Sequence, residues 1–98
     1  MKFGLTGTDL QIIKQVFSEF PEIKEIIVFG SRAMGNYKNG SDVDIVVKGE
    51  HVTSDILVKI QTTLNQETPL PYFFDVIHFD KITNNDLIVH IQEHGINL

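Results

Sequence analysis

The chain has no cysteine, which excludes disulfide staples, thiolate metal sites and a cysteine nucleophile. It has no apolar run approaching the roughly 20 residues that carry a helix across a bilayer. Its first residues, Met1-Lys2-Phe3-Gly4-Leu5-Thr6-Gly7-Thr8-Asp9, lack the apolar stretch of a secretory signal. Basic residues are scarce: 8 Lys and Arg stand against 13 Asp and Glu, a net charge of −5. A general nucleic-acid binder needs a basic face to displace counterions. Direct binding of nucleic acid is therefore not expected, whereas a nucleotide whose phosphates are held through a metal ion is compatible with this balance. What remains is ordinary globular material, 98 residues of which 42% are apolar. That is enough for one core and leaves no room for a second. The expectation is a single domain over residues 1–98, cytoplasmic and unattached to membrane.

Periodicity divides the chain into alternating helices and strands. Thr8-x-x-Gln11 fits a capping box, and Leu10, Ile13, Val16, Phe17 and Phe20 then recur at helical steps until Pro21. Ile26–Phe29 is a short apolar run ending at Gly30 and reads as a strand buried on both faces. Ser31 is placed to cap one helical turn, and 36–41 is turn chemistry throughout. Val43–Val47 is a second strand. Thr53, Ser54 or Asp55 caps a long helix carrying Ile56, Leu57, Ile60 and Leu64. Tyr72–Ile77 is a third strand. Asn84 or Asn85 caps a last helix, with Leu87, Ile88 and Ile91 inward and Gly95 as its stop. The pattern α-β-α-β-α-β-α predicts an α/β fold, a mixed three-stranded sheet with flanking helices. The helix between the second and third strands predicts that these two run parallel.

The chemistry concentrates in carboxylates on strands. In Ser41-Asp42-Val43-Asp44-Ile45, residues two apart point to one face, so Asp42 and Asp44 present their carboxylates side by side. Like charges that close repel and raise each other's pKa unless a cation intervenes. Hard oxygen ligands of this kind suit Mg²⁺, which completes its shell with waters and substrate phosphates. Asp75 is the odd residue of an apolar strand, and a carboxylate there is costly unless paired or metal-bound. Joined to Asp42 and Asp44, it would make a three-carboxylate centre of the kind that holds two metal ions. Gly30-Ser31, ending the first strand, would let a phosphate approach the backbone, and Arg32 adds a cation for a phosphate oxygen.

Gly30-Ser31, ten intervening residues and Asp42-x-Asp44 resemble the signature of the nucleotidyltransferase superfamily, whose palm is shared with DNA polymerase beta. Phe29-Gly30-Ser31-Arg32-Ala33-Met34-Gly35 and Ser41-Asp42-Val43-Asp44-Ile45 are similar to the minimal members, often antitoxins encoded beside a HEPN-domain toxin. The resemblance covers nearly the whole chain. It implies that Asp42, Asp44 and Asp75 bind two Mg²⁺ ions, with Asp75 also helping to deprotonate the acceptor. Gly30, Ser31 and Arg32 would hold the nucleotide. The implied reaction moves AMP from ATP to a hydroxyl, for antitoxin members a tyrosine of the HEPN partner. Many antitoxin members carry a second arginine where Met34 stands here. Two other function classes fit the same residues: an antitoxin that neutralises by docking alone, and a small-molecule enzyme similar to the generally larger aminoglycoside-modifying relatives.

Three further patterns read as structure. His90-Ile91-Gln92-Glu93-His94 matches a zinc-protease arrangement, but no third ligand follows it and the helix is needed to cover the sheet, so its histidines read as solvated. Gly30–Gly35 is no Walker loop, since no Lys-Ser or Lys-Thr follows. Gly4-x-x-Gly7 has no strand ahead of it and reads as a flexible start.

Overall fold

In the computed structural model, which describes residues 2–98, the sheet is built around its most deeply buried strand. This strand, β2 (Val43–Lys48), buries Val43, Ile45, Val46 and Val47 completely. It pairs antiparallel with β1 (Glu25–Phe29) and parallel with β3 (Phe74–His78), the parallel pairing expected from the intervening helix α3 (Ser54–Gln66). Alternation along β2 and β3 makes two apolar layers. Val43, Ile45, Val47, Phe74 and Val76 face a core shared with α1 (Gly7–Ser18) and α3. Ile27, Phe29 and Val46 face the other way, onto Ile91 of α4 (Asn85–His94).

The expected three strands are four. β4 (Ile96–Asn97) lies antiparallel to β1, giving the order β3-β2-β1-β4. Gly95 does end α4, but with φ −64° and ψ 142° it leads straight into an extended strand rather than a left-handed stop. Leu98 N–H then donates to Ile26 O at 2.9 Å. A two-residue strand has no periodicity of its own; only the open edge of β1 creates it.

Two helix starts also differ from expectation. The capping box of α1 is Thr6 with Asp9, not Thr8 with Gln11: Thr6 Oγ1 accepts the Asp9 N–H at 3.0 Å and Asp9 Oδ2 accepts the Thr6 N–H at 3.1 Å. The Asp9 carboxylate is fixed there by the Tyr72 hydroxyl, which donates to it at 2.9 Å. The short helix α2 (Gly30–Met34) begins directly from Phe29, so Ser31 lies inside its first turn instead of capping it. Of the candidate caps, Thr53 caps α3 and Asn84 caps α4, while Ser54, Asp55 and Asn85 lie in the first turns. β3 begins at Phe74, two residues later than the apolar run, because Tyr72 turns aside to cover Arg32.

Candidate active site

Strand register assembles the site. Phe29 pairs with Asp44, and Asp44 pairs with Asp75, so one row crosses β1, β2 and β3 at their common end. On β2 and β3, Asp44 and Asp75 alternate with residues of the α1/α3 core and therefore point to the α4 side. Asp44 is half-buried; Asp75 is exposed at the edge strand, and Asp42 is exposed just before β2 begins. Burial, then the charges of Asp75 and Asp42, push the Asp44 carboxyl above the usual carboxylate range. Among the described residues no group of three His, Cys, Asp or Glu side chains stands ready to hold a metal ion unaided. The three-carboxylate centre expected from the sequence is thus a shared edge of negative charge rather than a finished cage.

Gly30 closes the row on its α2 side. Its φ of +74° is a conformation glycine adopts freely and other residues rarely do. A Cβ there would run into Asp44 Oδ2. The turn and the central carboxylate are therefore in contact through the one residue type that permits it. Gly30 N–H, the first donor of α2, goes to His90 Nε2 at 3.0 Å. His90 itself lies edge-on to Phe29, ring centroids 6.2 Å apart, and 5.4 Å from His94. The sequence predicts a solvated His90; the structure holds it half-buried against the site. Its spacing from Leu87 and its place next to Ile91 put it on the inward stripe of α4, the one sequence signal that marks it.

Arg32 departs furthest from expectation. It is neither an exposed helical residue nor a cation held out toward a phosphate: only 3% of it is exposed. Nε and Nη2 donate to Ser41 O at 3.1 and 2.8 Å, and Nη1 donates to Phe3 O at 2.7 Å. The guanidinium lies 5.1 Å from the Tyr37 ring centroid and 5.0 Å from that of Tyr72. Arg32 thus clamps the carbonyl immediately before Asp42 to α2. Tyr37 covers Arg32 from the loop. Ser41 finishes the loop, its hydroxyl accepting Lys38 N–H at 2.9 Å. Asp80 lies past the far end of β3 beside His78 and is remote from the row.

The arrangement offers a carboxylate edge, a half-buried central acid and a glycine turn against it, the parts from which phosphoryl chemistry is built. A family model described as "Polymerase beta, Nucleotidyltransferase" matches residues 11–98. No curated protein matches in sequence. Among solved structures, a toxin–antitoxin with AMP-PNP superposes with a TM-score of 0.72 at 21% identity, over 90% of this chain and 69% of that one. A tri-AMPylated Shewanella oneidensis HEPN toxin in complex with MNT antitoxin gives 0.64 at 19% identity, over 90% and 66% of the two chains. The toxin–antitoxin MntA-HepT gives the same values, 0.64, 19%, 90% and 66%. At these identities the likeness establishes the fold.

Proposed function

The chain belongs to the Polymerase beta nucleotidyltransferase family, and from that premise we propose that it transfers AMP from ATP to a tyrosine hydroxyl of a HEPN-type toxin partner. The observation that carries this reading is the row Asp44–Asp75, with Gly30 fitted against Asp44. Support for the partner comes from the fold neighbours, which include an AMPylated HEPN toxin bound to its antitoxin.

The residues fit a divalent cation. Asp42, Asp44 and Asp75 are hard oxygen donors, and Asp44 is held protonation-prone first by burial and then by the charges of Asp75 and Asp42, which a cation would offset. Mg²⁺ bound there would supply charge stabilisation at the transferring phosphoryl group. A site short of a complete cage suits an ion that arrives with its nucleotide, since Mg²⁺ is usually held by one or two carboxylates plus phosphates. Ser31 holds the terminal phosphates at the Gly30 turn. Asp75, open to solvent on the edge strand, receives the proton of the acceptor hydroxyl. The acceptor oxygen bonds to the α-phosphorus, the α–β bridge breaks, and pyrophosphate leaves. Arg32 takes no part in contacting phosphate; it fixes the loop that delivers Asp42.

The test is incubation with Mg²⁺, α-labelled ATP and lysate of the source organism, to which a candidate HEPN-type partner is then added, with Asp44→Ala as control. A labelled partner band that vanishes in the variant supports the reading. A folded wild type that labels nothing yet still silences the partner means neutralisation by docking.

A further inference from the structure

We propose that His90 is a positioning residue: from α4 it holds the Gly30 N–H and so fixes the phosphate-binding turn against Asp44. The proposal rests on the nucleotidyltransferase reading of the site.

The first donors of a helix have no partner inside it. In α2 the first of these, Gly30 N–H, is accepted by His90 Nε2 at 3.0 Å. A backbone N–H can only donate, so Nε2 is the acceptor. Gly30 has no side chain to fix its own conformation, and glycine visits positive and negative φ about equally. Its observed φ of +74° must therefore be imposed from outside. The consequence of slippage is immediate, because the Gly30 α-carbon lies against the Asp44 carboxylate. One hydrogen bond thus governs both the turn and the central acid.

The acceptor is itself well held. Ile91, the next residue, is 3% exposed and anchors α4 on Ile27 and Phe29. Asn84 caps the other end of α4 by accepting from Asp86 and Leu87 N–H. The imidazole meets Phe29 edge-on at 73°. With Gly30 N–H committed to His90, the terminal phosphates are left to Ser31, which makes α4 part of the nucleotide site although it contributes no ligand of its own.

Two variants of the full chain test this. His90→Phe keeps a flat ring against Phe29 and removes the acceptor; His90→Gln returns an acceptor at about the position of Nε2. Two readouts are needed: hydrogen exchange of the Gly30 amide in the free protein, and the Kd for ATP with Mg²⁺ by calorimetry. Loss of one such bond corresponds to about tenfold, so His90→Phe is expected to exchange about tenfold faster and bind about tenfold more weakly. His90→Gln is expected to recover most of both, with all three proteins melting as folded domains. Unchanged exchange or unchanged affinity in His90→Phe, or a folded His90→Gln that fails to rescue them, would overturn the positioning role. If the wild type itself fails to bind ATP with Mg²⁺, the nucleotidyltransferase reading falls and takes this one with it; a wild type that binds while His90→Phe binds equally well removes only the role of His90.

Discussion

Replacing Arg32 with methionine separates a buried clamp from a phosphate ligand. Methionine keeps the aliphatic stem and loses the guanidinium. Three hydrogen bonds to Ser41 O and Phe3 O disappear, and so do the contacts with Tyr37 and Tyr72. Bonds from a charged donor contribute about 1.5–3 kcal/mol each, and guanidinium–ring contacts about 0.5–2 kcal/mol each. Against this stands the several kcal/mol recovered by no longer burying a charge. The balance is a destabilisation of about 2 kcal/mol or more, large beside a typical total of about 5–15 kcal/mol. For a domain of this size each kcal/mol moves the melting temperature by about 4–8 °C, so Arg32→Met should melt at least about 8 °C lower. Arg32→Lys keeps the charge without the fork and should fall between the two. Thermal melting followed by circular dichroism measures all three. If Arg32→Met melts with the wild type, the guanidinium is not structural, and its place is at the substrate after all.

Two more expectations follow from the same geometry. The Asp44 carboxyl is pushed above its ordinary value of 3.8, so the folded chain binds its proton more tightly than the unfolded chain does. Its contribution to stability is therefore fully present below that value and lost as pH rises through the elevated pKa. Asp44→Asn does not titrate: its melting-temperature advantage over the wild type should grow across that window and then level off, and added Mg²⁺ should narrow it. A variant that melts below the wild type at neutral pH contradicts the charge crowding. Separately, Asn65→Ala strips the partner from both backbone groups of buried Phe74, bonded at 2.7 and 3.0 Å. The expected cost is about 1–3 kcal/mol in urea denaturation, and a loss below the precision of that experiment would refute it.

Much of this molecule is legible before folding because local chemistry and global fold agree. The apolar run of β1, the parallel pairing of β2 with β3, and aspartates placed on strands each have one economical reading. The Asp44–Asp75 row also follows, once β2 and β3 are taken as parallel neighbours, although its register does not. What escapes the sequence is decided by partners distant along the chain. Thr6 and Thr8 are equally good caps until Tyr72 fixes Asp9. β4 exists only as an answer to an unpaired edge of β1. Arg32 is silent because a guanidinium satisfied by carbonyls and ring faces leaves no charged partner to find. His90 finds its role 60 residues away from the glycine it serves.

The outer edge of β3 has a further consequence. Asn65 accepts from Phe74 N–H and donates to Phe74 O, and Gln61 accepts from Val76 N–H, so amide side chains of α3 stand where a neighbouring strand would otherwise hydrogen-bond. Exposed strand edges invite other chains to add themselves to a sheet. Here the margin next to Asp75 is sealed against that mode of association. A protein approaching this carboxylate must present a side chain across the rim, not its backbone along it, and the sheet can lengthen only past β4, on the side away from the acids.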